Sequence, residues 1–206
     1  MEQKYLFRKP YSVRHLFHLL IVLVVTCHFS QALNGVATLT YYHSYAECCP
    51  GEVNYDPEAD TTECDLYSAC QYTGYFAALG QKSYDYVTES SLIAFYEYGD
   101  GSLDRFWHYY AGKNITLVKN GKIIFTAIIA DTCGDSDCDG CCSANSIDTG
   151  YLVDLEYFTM LRNFDNPDDA TGQIEFYVDE EYMYYATDDD DSGSGEVTIV
   201  LLSCSA

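Results

Sequence analysis

Apolar residues recur in short runs separated by turn formers, and most of those runs have the period of strands. Residues 35–42, Gly35-Val36-Ala37-Thr38-Leu39-Thr40-Tyr41-Tyr42, alternate and are rich in β-formers, which predicts an opening strand. Residues 72–79 and 92–98 predict two more. Residues 114–118 and 123–130 flank Lys119-Asn120-Gly121-Lys122, and Asn-Gly is the preferred pair of a tight type I′ hairpin turn. Residues 173–178 predict a further strand. Helical spacing is clear only over residues 155–164, where Leu155, Phe158, Leu161 and Arg162 share a face and Asp154 takes the N-cap position. Residues 43–70 predict a polar loop, and 99–112 a looser stretch holding Trp107. The fold class expected is mainly β, with one or two short helices.

The two ends differ from this middle. Residues 1–32 carry Lys4, Arg8, Lys9 and Arg14, then an apolar stretch, then the small residues Ser30 and Ala32 around Gln31. That order predicts a secretion signal cleaved before Leu33; a retained anchor is the alternative, although the apolar run is short for a span. Residues 179–206 form an acidic, tyrosine-rich tail with Asp188–Asp191, a Ser-Gly linker and a short terminal strand over 196–202. One domain, 33–178, remains between them.

Charge narrows the partners. The chain has 10 Lys+Arg against 32 Asp+Glu, a formal charge of −22. Without the first 32 residues, which hold four of the basic and one of the acidic residues, the balance is 6 against 31, or −25. Such a field repels nucleic acid, acidic membranes and polyuronides, and leaves neutral glycans, cations or basic proteins.

Of ten cysteines, Cys27 falls in the signal and Cys204 in the tail. Cys48, Cys49, Cys64 and Cys70 lie early, and Cys133, Cys138, Cys141 and Cys142 in the middle. Export predicts disulfides. A four-thiolate zinc site is the alternative for the second group, which contains no histidine. Asn114-Ile115-Thr116 is a glycosylation sequon, usable where Asn114 faces solvent. Asp188–Asp191 lack the spaced glycine and the terminal bidentate acid of a calcium loop.

Candidate chemistry centres on two acids. Asp131 ends the apolar run 123–130, and Asp154 follows Tyr151-Leu152-Val153. A carboxylate where a buried strand stops is costly unless paired, hydrogen-bonded or protonated. Two of them joined by a cysteine-rich loop point to a carbohydrate cleft. The plainer alternatives are that Asp154 only caps the helix and Asp131 only holds the loop of Cys133. Trp107, with Tyr109 and Tyr110, offers flat faces to sugar rings, or else packs as a satellite cluster under its loop. His43 and His108, in predicted loops, offer proton shuttles or are ordinary surface histidines.

Three segments carry a resemblance. Gly35-x-Ala37-Thr38, Ala130-Asp131-x-Cys133, and Val153-Asp154-Leu155 before a short helix resemble the expansin-like double-psi β-barrel group. That group includes expansins, barwin-type proteins, rare lipoprotein A domains and family-45 endoglucanases, and the likeness spans residues 35–178. It implies a six-stranded barrel with a polysaccharide groove across one face. Asp154 would be the group's acid, Asp131 the acid at the neighbouring strand end, and Thr38, Thr40 and Tyr41 the facing groove wall. The neighbours of Asp154, Leu152 and Val153, depart from the polar or aromatic ones usual in the group. Full expansins add an immunoglobulin-like domain of about a hundred residues, which residues 179–206 are too few to form.

A general acid must hold its proton well above the ordinary aspartate pKa of about 3.9. A helix N-terminus would lower the pKa of Asp154, whereas burial and a like charge such as Asp131 would raise it, and the rise is expected to win only with the two side chains at contact distance. An inverting hydrolase also needs a base with the carboxyls about 6.5–9.5 Å apart. Glu47, before Cys48-Cys49, resembles the family-45 base but lies in an expanded loop. The expectation is therefore an exported, cofactor-free and metal-free protein that binds and loosens neutral cell-wall or matrix polysaccharide without hydrolysis. An endoglucanase using Asp154 and Glu47 is the rival. A lytic transglycosylase with a single acid, or a barwin- or kiwellin-like interaction protein with no activity, stands behind it.

Overall fold

The computed structural model describes residues 33–100 and 103–179. The signal segment, the acidic tail, its terminal strand, Cys27 and Cys204 lie outside the described residues.

Six strands form one sheet that closes into a ring in the order β1-β7-β4-β6-β5-β8. They are β1 (Asn34–Tyr42), β4 (Leu92–Glu97), β5 (Asn114–Lys119), β6 (Lys122–Asp131), β7 (Tyr151–Glu156) and β8 (Gly172–Val178). β1 runs parallel to β7 and β4 parallel to β6; the other four pairings are antiparallel. Closure leaves none of the six as a free edge.

Period-2 alternation decides what fills the ring. Ala37 and Leu39 of β1, Val153 and Leu155 of β7, and Ile174 and Phe176 of β8 all point inward, and every one is buried. Phe176 packs edge-to-face on Phe95 and Tyr151. β4 is buried on both faces because its outward residues also meet covering segments: Leu92 joins Phe76 and Val87, and Tyr96 joins Cys142 and Leu152.

The expected strands at 35–42, 92–98, 114–118, 123–130 and 173–178 all form. Asn120 and Gly121 both take positive φ (54° and 70°), the two-residue I′ geometry that their side chains favour. Three expectations need correction. The strand expected over 72–79 shrinks to β2 (Tyr75–Phe76), paired only with β3 (Gly80–Gln81), because Phe76 is spent plugging a small core under the ring. The loop 43–70 contains a helical turn, α1 (Thr62–Leu66), and a second turn, α2 (Tyr84–Glu89), precedes β4. The helix expected from Leu155 starts two residues later, as α4 (Tyr157–Asn163), because Leu155 and Glu156 continue the ladder with Tyr41 and Tyr42. Its buried residues are Thr159 and Met160, while Leu161 is exposed. Thr159 accepts from the Leu92 backbone N–H at 2.8 Å, and Arg162 donates to the Thr88 and Ser90 carbonyls, so α4 is fastened to the start of β4.

All eight candidate cysteines pair as disulfides: Cys48–Cys64, Cys49–Cys70, Cys133–Cys142 and Cys138–Cys141. The four central sulfurs lie close enough to hold an ion, but disulfide bonding removes the thiolates that zinc requires. Cys48–Cys64 staples α1 to the segment after β1, and Cys49–Cys70 ties the turn after α1 to the same segment. The other two fold the β6–β7 connection around α3 (Cys141–Ser146).

Candidate functional site

The ring's outer face between β1 and β6 carries the acids, and strand register puts them there. Thr40 pairs with Asp154, Asp154 with Ala94, and Ala94 with Asp131, giving one row across four strands. Asp131 reaches this row through a bulge. Ile93 pairs with Ile129, yet the next residue, Ala94, pairs with Asp131 rather than Ala130. The extra residue returns Asp131 to the outer face, where an unbroken period would have turned it inward. The methyl group of Ala94 leaves a hollow between the acids. Two strand spacings separate their backbones, about 10 Å.

That hollow is a cleft of about 400 Å³, lined by Thr40, Tyr41, Tyr42, Ala94, Asp131 and Asp154 at its floor. Glu63 and Tyr67, on and just after α1, form one wall. The cystine-linked segment with Asp137, Cys138 and Asn145 forms the other. A second hollow of about 390 Å³ shares Tyr42, Glu63, Tyr67 and Asp131 and extends past Tyr72 and Tyr75. A third, of about 300 Å³, shares Tyr41 and Glu63 and contains His43, Glu47 and Asp60.

Asp154 accepts a 2.6 Å hydrogen bond from the Thr40 hydroxyl. Burial lifts its pKa to about 7; the Thr40 bond opposes the rise, and the charges of Glu63 and Asp131 add to it. Asp131 accepts from the backbone N–H groups of Ala77 (3.0 Å) and Thr132 (2.9 Å). Burial raises it to about 6 against those two donors, with Asp137 adding repulsion. The expectation that Asp154 needs Asp131 at contact distance is corrected: burial is the leading cause, and the charge of Asp131 comes after that of Glu63. Its placement at a helix N-cap is corrected too, since it stands within a strand.

The cap is Glu156, whose carboxylate accepts from Phe158 N–H at 2.7 Å and from the Ser44 hydroxyl at 2.9 Å. Glu156 is completely buried, and burial lifts its pKa to about 7 despite those donors. The signal for it in the sequence is its i, i+2 relation to Asp154, which puts both on the same face of β7. Tyr42 pairs with Glu156 in the ladder. The Tyr42 hydroxyl is sealed from solvent and has no hydrogen-bond partner among the described residues. Its pKa is raised by burial, then by the charges of Asp131, Glu156 and Asp154. Glu63 is raised by burial and by Asp60.

Of the expected wall residues, Thr40 and Tyr41 line the cleft, whereas Thr38 and Trp107 do not. Thr38 is bonded through its N–H to the Thr149 hydroxyl at 3.2 Å, away from the acids. Trp107 sits in the β4–β5 connection, 52% exposed and edge-on to Phe106. Phe106 and Tyr110 take the buried positions there. His43 stacks on Tyr157 at 4.0 Å, and burial lowers its pKa. His108 instead bonds through Nδ1 to the Asp104 carbonyl. Glu47 is exposed and lines only the third hollow. Asn114 is exposed, as its sequon requires.

Chemically, the cleft offers a carboxyl that exchanges its proton near neutral pH, a second buried carboxyl, hydroxyl donors and tyrosine faces. No family model matches the chain, and no curated protein matches it.

Proposed function

We propose that the protein is an exported, expansin-like double-psi β-barrel that grips neutral cell-wall or matrix polysaccharide in this cleft and disturbs its packing. The observation that carries the reading is the single row Thr40–Asp154–Ala94–Asp131, which opens both acids into one trough. Sugar hydroxyls both donate and accept, so they match a floor that mixes the Asp131 and Asp154 carboxyls with the Thr40 hydroxyl. Tyr41 and Tyr67 supply apolar ring faces beside them. The opening 32 residues and the four disulfides support export.

Hydrolysis is the second reading, favoured by the pKa of about 7 at Asp154, which suits a general acid. Its base would be Glu63, which overlooks Asp154 and shares its field, rather than the outlying Glu47. Reducing-sugar release from soluble glucans separates the two. The binding reading expects no release by the wild type. Release abolished in Asp154→Asn would replace it with the hydrolase.

A further inference from the structure

The charge of the cleft is one-sided. Glu63, Asp131, Asp137 and Asp154 line it, with no lysine, arginine or histidine among its described lining residues. These acids work against one another, since Glu63 and Asp131 oppose ionisation of Asp154, and Asp137 opposes that of Asp131. A positive charge entering the trough relieves that repulsion.

A compact metal ion fits poorly. Among the described residues, the only ligand groups close enough to share an ion are cystine sulfurs; the cleft carboxylates are not. Calcium needs six to eight converging oxygens. The acids stand on both walls and the floor instead, so they can meet more than one charge of a bound chain. An independent feature points to the same ligand. The Tyr42 hydroxyl is buried and unpartnered among Asp131, Asp154 and Glu156. The floor therefore holds a donor left unused beside acceptors, and a small shift lets a ligand hydroxyl accept from it while donating to Asp154. Tyr67, 42% exposed on the wall, presents a face to a pyranose ring.

Resting on the polysaccharide reading, and replacing its neutral glycan by a cationic one, we propose that the cleft prefers a hexosamine polymer with free amino groups to the N-acetylated polymer and to neutral glucan. Its ammonium groups meet Glu63 and Asp137 at the rim, and its hydroxyls meet Tyr42, Thr40 and Asp154 at the floor. A basic peptide satisfies the rim but leaves the ring faces and the floor unused.

Calorimetric titration of the full chain tests this, near pH 6, below the ordinary range of amines. The ligands are glucosamine hexamer, N-acetylglucosamine hexamer, cellohexaose and a lysine hexapeptide. Glucosamine hexamer is expected to bind at least about ten-fold tighter than the others, with the advantage shrinking between about 50 and 300 mM salt. The double variant Glu63→Gln/Asp137→Asn should lose that advantage, with its β signal in circular dichroism reporting its fold; Asp137→Asn alone should lose part of it. Against a net charge of −22, removing two charges barely alters the overall field, so the loss is local to the cleft. Equal affinity for the three sugars would overturn the proposal and leave the polysaccharide reading standing. So would an advantage unchanged in the variants, or a lysine peptide that binds as tightly. Failure of all three sugars to bind would remove both.

Discussion

Asp154 holds a proton near neutrality because burial, helped by the charges of Glu63 and Asp131, outweighs the one short hydrogen bond from Thr40. The rule that a carboxylate ending an apolar run demands an explanation found both Asp131 and Asp154 in the sequence. It passed over Glu156, because a charged residue followed by aromatic ones reads as the start of an exposed helix. It passed over Tyr42 as well, one tyrosine among 21. These residues make stability depend on pH with a definite sign. Asp131, Asp154 and Glu156 are raised in the fold to about 6, 7 and 7, so the folded chain keeps protons that the unfolded chain releases near its ordinary carboxyl pKa. Their contribution is therefore most favourable below about pH 4, declines as pH rises to about 7, and is flat beyond. The melting temperature should be higher at pH 5 than at pH 8. Glu156→Gln, which removes one of these titrations, should flatten that slope. Thermal unfolding of both proteins across this range checks it, and a wild-type melting temperature that rises toward pH 8 would refute it.

At the level of elements, the hairpin was legible because Asn120-Gly121 dictates its own backbone, and the strands were legible from alternation. The segment between β1 and β4 was not, since it has little periodic apolar pattern and takes its shape from Cys48–Cys64 and Cys49–Cys70. One glycine there is required by close approach: at Gly74, with φ of 64°, a Cβ would collide with the Tyr45 side chain and the Lys82 carbonyl. The bulge that delivers Asp131 was also hidden, because register belongs to a pair of strands and neither sequence states it alone. The cleft wall carrying Glu63 and Tyr67 thus depends on covalent staples more than on packing; α1 contains no buried residue. Replacing Cys48 and Cys64 together by Ser, which frees α1 from the segment after β1, should cost roughly 2–4 kcal/mol. It should also weaken polysaccharide binding while the β signal in circular dichroism persists at room temperature. Binding at wild-type strength would mean that α1 forms no part of the site.

On the scale of the whole molecule, a mainly β, disulfide-rich chain could be read from composition and runs, whereas the order of strands around the ring could not. Closure depends on β1 lying between a parallel and an antiparallel partner drawn from the far end of the chain. That same placement joins Thr40 to Asp154 and so builds the cleft. The net charge of −22 surrounds a trough that is itself acidic, which disfavours polyanions and accords with the proposed uncharged or amine-bearing glycan. The central claim is that this trough, through Asp154, holds a polysaccharide chain. Affinity electrophoresis of wild type and Asp154→Asn through gels containing soluble glucan tests it most directly. The wild type should be retarded, and the variant should bind about ten-fold more weakly, as losing one charge-assisted hydrogen bond implies. Equal retardation of the two, or none across neutral and amino-bearing glycans, would contradict the account.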